Sequence, residues 1–189
     1  MARRLRYQVA ASLDGFIAGP NGEYDWIVMD PAVDFSALFA QFDTAVMGRK
    51  TFEITTAQGE SGAMPGLEVI VFSRSLAAST RKGVTITRDD PAAVVADLKR
   101  KPGRDIWLYG GGELFRSLLD AGLVDTVEVA VMPVLIGSGI PLLPAGRHAK
   151  LVMADRKVLH GSGIVMLAYA VEGSTAAPPR IEYIKDTKP

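Results

Sequence analysis

The sequence predicts an α/β fold of three layers, α-β-α, around a mixed sheet of about eight strands with helices on both faces. Three observations carry that expectation. Short runs rich in Val, Ile and Leu alternate with helix-length patterns through the first two thirds of the chain, as parallel strands joined by crossover helices do. The last third changes to three strand-like runs with no helix between them, which adds an antiparallel edge. Asp-Pro pairs open two of the helical stretches, because aspartate caps free amides and proline is preset for the first helical position.

The first strand covers residues 5–12 and is followed by Asp14-Gly15, a pair common in turns. Asp30-Pro31 reads as an N-cap and first helical residue, after which Phe35, Leu38, Phe39 and Phe42 mark one helical face. Strands follow at 44–47, 67–72 and 84–87. Asp90-Pro91 repeats the capping device, and Pro102-Gly103 closes that helix behind the basic end Lys99-Arg100-Lys101. A strand at 106–109 leads into a helix from about residue 113, apolar at Leu114, Phe115, Leu118 and Leu119, with Gly122 as its C′ residue. Strands at 126–132, 151–159 and 164–171 complete the set, the last two joined through His160-Gly161-Ser162-Gly163.

With 189 residues, 48% of them hydrophobic and 22% charged, the chain has enough apolar material for one domain with a substantial core. Residues 1–172 are expected to form that single domain, and residues 173–189 a loosely ordered polar tail. Lys plus Arg and Asp plus Glu both total 21, a net charge of zero, which argues against a nucleic-acid-binding surface as the main function. Without cysteine there are no disulfides and no thiolate metal sites. His148 and His160 are isolated from other ligands at metal spacing, so no metal is expected. No run is long and apolar enough to span a bilayer, and Arg3-Arg4 is not followed by the apolar stretch of a signal peptide. A cytoplasmic protein is the expectation.

Three loops fall at the carboxyl ends of central strands, where open α/β sheets place their ligands. Met47-Gly48-Arg49-Lys50-Thr51-Phe52 runs from strand into helix and offers backbone amides, two cations and a hydroxyl. That set suits a phosphate, and equally an ordinary turn with solvated basic residues. Tyr109-Gly110-Gly111-Gly112-Glu113-Leu114 is a second strand-to-helix junction. Three consecutive glycines lose much backbone freedom on folding, so either a tight turn or close approach of a ligand must require them. Their spacing is not the dinucleotide fingerprint. Val71-Phe72-Ser73-Arg74 places a hydroxyl and a guanidinium at a third strand end, and Arg88 follows the neighbouring strand; together they suit a ribose phosphate.

These runs resemble the corresponding segments of dihydrofolate reductases, in the same order. Residues 11–18, Ala-Ser-Leu-Asp-Gly-Phe-Ile-Ala, and 133–142, Pro-Val-Leu-Ile-Gly-Ser-Gly-Ile-Pro-Leu, resemble more specifically the C-terminal reductase domain of the bifunctional deaminase–reductase of riboflavin biosynthesis and its stand-alone relatives. The likeness spans most of residues 5–171, and the zinc deaminase half is absent because there is no cysteine. It implies a dihydrofolate-reductase-like fold and an NADPH-dependent reductase of a small heterocyclic or carbonyl substrate. A ribosylamino-pyrimidine and dihydrofolate are both candidates. It further implies that Gly48, Arg49, Lys50 and Thr51, with Gly110, Gly111, Gly112, Glu113 and Leu114, contact phosphates. Phe72, Ser73, Arg74 and Arg88 would surround the 2′-phosphate, and Ala10, Ala11 and Ile17 the nicotinamide. The Gly110–Gly111 bond is cis in this family.

Hydride transfer to a C=N or C=O bond needs a proton at the neighbouring atom, so a carboxylate is sought. Asp14 and Asp34 are the candidates; the first serves equally as a turn residue, the second as a first-turn helix acid. Tyr24 and Trp26 either stack on a substrate ring or anchor the loop that precedes the first helix. A homodimer is implied by the likeness, with residues 165–170 as contact surface. A catalytically silent NADPH-binding or regulatory protein is the rival reading.

Overall fold

The computed structural model describes residues 3–57, 62–78 and 82–185. The chain runs through β1 (Leu5–Ser12), β2 (Phe16–Ala18), α1 (Phe35–Phe39), β3 (Phe42–Gly48), α2 (Arg49–Thr56), β4 (Glu68–Phe72) and β5 (Val84–Thr87). It continues through α3 (Pro91–Arg100), β6 (Asp105–Gly110), α4 (Gly112–Asp120), β7 (Thr126–Met132), β8 (Ile140–Pro141), β9 (Leu151–Leu159) and β10 (Ile164–Val171). Eight strands form one sheet in the order β5-β4-β3-β6-β1-β7-β10-β9. It is parallel from β5 to β7 and antiparallel at β7–β10–β9, as the change of pattern in the last third predicts.

Alternate residues of each strand point to opposite faces, so the sheet carries two cores. On one face Leu5, Tyr7, Val46, Ile106 and Leu108 meet Val95 and Leu98 of α3 and Leu114, Phe115 and Leu118 of α4. Tyr7 stacks on Phe115 with ring centroids 3.8 Å apart. On the other face Ala45, Met47, Val69, Val71 and Trp107 meet Leu38 of α1 and Phe52 of α2. α3 starts as its sequence predicts: the Asp90 carboxylate accepts from the Ala93 amide at 3.0 Å, and Pro91 is its first residue. Gly122 follows α4 with a φ of +68°, the left-handed turn that glycine adopts most easily.

Two expectations are corrected. The helix expected at Asp30-Pro31 is only the five residues of α1, capped by Asp34, whose carboxylate accepts from the Ala37 amide at 3.0 Å. Asp30 instead closes a turn onto the Ala32 amide, and Phe42 belongs to β3. The cause lies in the tail, which is not loose over residues 173–185. Ile181 and Tyr183 are each only 2% exposed. The Asp34 amide donates to the Tyr183 carbonyl and the Lys185 amide to the Ala32 carbonyl, both at 2.8 Å. Val33 pairs with Ile184 as an isolated bridge. The Gln8 amide group donates to the Tyr183 hydroxyl at 2.7 Å. Residues 32–34 thus pair with the tail rather than extend the helix. Tail residues 186–189 lie outside the described residues.

A buried ionic cluster sits on the α1 side of the sheet. The Arg6 guanidinium donates from Nε and Nη2 to both oxygens of Glu128, at 2.8 and 2.7 Å, and from Nη1 to Gln41 at 2.6 Å. Arg6 is 1% and Glu128 2% exposed, and Arg6 also lies over the Phe42 ring. Burial opposes the Arg6 charge, but Glu128 and Asp105 outweigh it and hold the guanidinium above its ordinary value.

Candidate active site

Because β1, β3, β4, β6 and β7 run parallel, their carboxyl ends form one edge. Two helices begin there on glycine. Gly48 caps α2 and Gly111 caps α4, neither with a side-chain hydrogen bond. The first amides of both helices therefore lack a side-chain cap, and the helix dipoles add positive potential. A Cβ at Gly48 would meet nothing within 4 Å, so the space above that turn is open to a ligand. The glycine run has a structural reason too. Cβ atoms at Gly110 and Gly111 would lie 3.1 and 3.2 Å from the Thr51 hydroxyl, and one at Gly112 only 3.0 Å from the Pro141 carbonyl. The two loops are thus pressed together, and the Gly110–Gly111 peptide is cis.

The expected phosphate residues divide by exposure. Lys50 and Glu113 are exposed, while Arg49 is held by its i+4 neighbour Glu53 at 2.7 Å. Phe72 and Leu114 are buried in the core on the α3 side, so each has only backbone to offer. The Ser73 hydroxyl accepts from the amides of Ser75 and Leu76 at 3.2 and 3.0 Å, fixing the turn that carries Arg74. Phe72 pairs with Thr87, and the Ser73 amide donates to the Thr87 carbonyl. Arg74 and Arg88 therefore leave adjacent strand ends. Both are exposed, and neither is paired with a described carboxylate.

At the end of β1, Ala11 belongs to the core on the α3 side and Ile17 packs against that core, whereas Ala10 lies on the α1 side. The Asp14 carboxylate accepts from the amides of Ile136 and Gly137 at 3.2 and 2.7 Å. Hydrogen bonds from Ser12 first, then from those amides, hold it below the usual carboxylate value. Asp14 thus clasps two loops as an ionised acceptor. The same two runs make a small sheet, β2 against β8, that the sequence reading missed. A Cβ at Gly139 would collide with the Ala18 carbonyl, so the glycine spacing in that run was its one visible signal.

Asp34, as N-cap, has its carboxylate at the start of α1. Trp26 is half-buried against the core on the α1 side and donates to the Glu23 carbonyl at 3.2 Å, as a loop anchor does. Tyr24 is 43% exposed. His148 and His160 are both exposed, and no group of three or more His, Asp or Glu suited to a metal occurs among the described residues. One feature of the site escaped the sequence reading altogether. Phe35 and Phe39 stand one turn apart on α1 with ring centroids 6.2 Å apart, and Phe39 lies 5.5 Å from Trp107. Trp107 in turn meets Tyr109 edge-on at 5.0 Å. This aromatic row ends beside the glycine run.

Both the sequence and the fold have counterparts among known proteins. The model of the RibD C-terminal domain matches residues 3–166. The chain belongs to the RibD C-terminal domain family. A relative in Bacillus subtilis (strain 168), YyaP, named as uncharacterized, is 34% identical over 183 residues, covering 90% of this chain and 96% of YyaP. A Shewanella sp. PV-4 structure, named only provisionally for riboflavin biosynthesis, superposes with a TM-score of 0.77 at 25% identity, covering 91% of this chain and 99% of that one. Dihydrofolate reductase from Enterococcus faecalis, solved with NADP(H), superposes at 0.67 with 19% identity, covering 91% and 99%. The fold is therefore dihydrofolate-reductase-like. No described helix is long and apolar enough to cross a membrane.

Proposed function

We propose that this protein is an NADPH-dependent reductase of a small heterocyclic or carbonyl substrate. The observation that carries the reading is the single edge on which two glycine-capped helix starts stand with Arg74 and Arg88, neither paired with a described carboxylate. A dinucleotide with three phosphates needs several such cradles. In this reading the amides after Gly48 and Gly111 take the pyrophosphate, Arg74 and Arg88 take the 2′-phosphate, and the alanines of β1 with Ile17 support the nicotinamide. NADPH, when bound, supplies the hydride. The chain's own task is to hold the acceptor ring and deliver a proton. The Asp14 carboxylate already accepts two amides, which leaves Asp34 as the group that binds the substrate in this reading.

Titration of the protein with NADPH and NADH, followed through the tryptophans, tests the reading. NADPH is expected to bind about a hundredfold more tightly than NADH, the effect of two charge-assisted contacts to one phosphate. Equal affinities, or no heat of binding for either, would sink it. Hydride transfer to any member of a substrate screen then separates a reductase from a catalytically silent binder. The same reading takes the chain to be a cytoplasmic homodimer joined through the outer strands, where Leu151, Val152, Met153 and Val158 of β9 are 41–56% exposed. Sedimentation at the chain mass of 20.2 kDa would exclude that contact.

A further inference from the structure

Four arginines meet at the end of the sheet opposite the candidate site. Arg4 and Arg6 about the start of β1, Arg104 just before β6 and Arg180 in the tail line one hollow of about 500 Å³. Its other charged lining is Asp105 and Glu182. Four guanidiniums thus face two carboxylates, an excess of two positive charges in a chain whose net charge is zero. Arg6 is matched from behind by Glu128, and Arg4 gives Nε and Nη2 to Asp105 at 2.9 and 2.6 Å. That leaves Arg104 and Arg180 with the one carboxylate of Glu182. Arg104 spends Nη1 on the Ala40 carbonyl at the end of α1, at 3.0 Å, and no described residue accepts from its Nε or Nη2. Arg180 is exposed and has no described partner.

The tail is pinned on either side of these groups. The Ala177 carbonyl accepts from Arg4 at 3.1 Å and the Ile181 amide donates to Asp155 at 2.9 Å. Ile181 and Tyr183 are buried, while Arg180 and Glu182 alternate with them and line the hollow. Two guanidiniums with unused N–H edges repel each other across such a space, and a doubly charged anion relieves that repulsion. Their planar forks match pairs of phosphate oxygens, and the volume falls in the range of small-ligand sites, roughly 300–1,000 Å³. We propose that this hollow binds a phosphate group, free or carried by a small hydroxylated molecule, between Arg104 and Arg180. Glu182 is the acceptor for a hydroxyl of the same ligand. The site is distinct from the cofactor edge and does not depend on the reductase reading. The eight residues of β1, about 25 Å of strand, lie between the two ends, so both sites can fill at once. A phosphate bound here ties the tail, through Arg180, to the end of α1, through Arg104.

Amide NMR titrations with inorganic phosphate, ribose 5-phosphate and ribose, at about physiological ionic strength, test the proposal. The amides of Gln41, Asp105 and Glu182 read the hollow, and those of Gly48 and Gly111 read the cofactor edge. Both phosphates are expected to give saturable shifts in the hollow at millimolar concentration or below, and ribose none. The ratio of the two affinities tells a free ion from an ester. Arg180→Ala is expected to weaken that binding about tenfold, one charge-assisted contact that solvent partly screens, and Arg180→Glu to abolish it. Both variants should melt as the wild type does, because the side chain is exposed and holds no described partner. Shifts confined to the cofactor edge, or none with either phosphate at tens of millimolar, overturn the proposal. So does wild-type affinity in the hollow of Arg180→Glu.

Discussion

Glu128→Ala is expected to destabilise the protein by about 3–5 kcal/mol, the cost of leaving a buried charge without its counter-ion. Arg6 is 1% exposed and gives two of its hydrogen bonds to Glu128. Its remaining partners, Gln41 and Asp105 at 2.6 and 3.3 Å, both bind Nη1, so Nε and Nη2 would be stranded. Thr126, whose hydroxyl donates to Glu128 at 2.8 Å, would lose its acceptor as well. For a chain of this length the loss corresponds to a melting point lower by about 6–20 °C. The double variant Arg6→Met with Glu128→Leu should recover much of it, because removing both charges also removes their desolvation cost. Thermal melts of the wild type, the single and the double variant decide the matter. A single-variant shift below about 1 kcal/mol would mean that water reaches Arg6 and that the pair is a surface one.

The second large effect concerns the cofactor. Arg74→Ala and Arg88→Ala are each expected to weaken NADPH about tenfold and together about a hundredfold, each removing one charge-assisted contact that solvent partly screens. NADH, which lacks the 2′-phosphate, should be unaffected. The double variant would then hardly distinguish the two nucleotides. Both residues are exposed and outside the cores, so the folded state should melt as the wild type does. Calorimetric titration of both nucleotides at two salt concentrations reads the effect, since screening should shrink the NADPH preference of the wild type. An equal loss for NADH would assign the arginines to the pyrophosphate rather than the ribose.

The sheet was legible because its signal is local. Five strands, β1, β5, β7, β9 and β10, have the limits that their apolar runs predict, and Asp90-Pro91 begins a helix with the expected cap. Asp30-Pro31 is the same device and fails, because what decides residues 31–34 is a tail segment far along the chain that claims their backbone groups. The alternation Ile181-Glu182-Tyr183-Ile184 was visible in the tail, but four residues are too few to stand out from a polar stretch. β2 and β8, three and two residues long, are shorter than any period that could reveal them. At the site the glycine loops were legible, since bare backbone in such runs demands a cause, and the structure supplies one in the Thr51 contact. The aromatic row was not, because Phe39 and Trp107 belong to elements that only the β3–β6 pairing brings together.

The strap formed by the tail also fixes when the molecule can be finished. Gln8 and Tyr183 are partners across 175 residues, so a ribosome has made everything between them before the last side of the α1 region is in place. Closures across such a span are slow relative to local ones. Until Tyr183 emerges, the Asp34 amide at the start of α1 lacks its acceptor. The family match ends at residue 166, within β10 and short of the strap. For anyone shuffling segments between relatives, the exchangeable unit is therefore not the matched stretch. The residues that follow it must travel with β1 and α1, because they serve the beginning of the chain rather than its end.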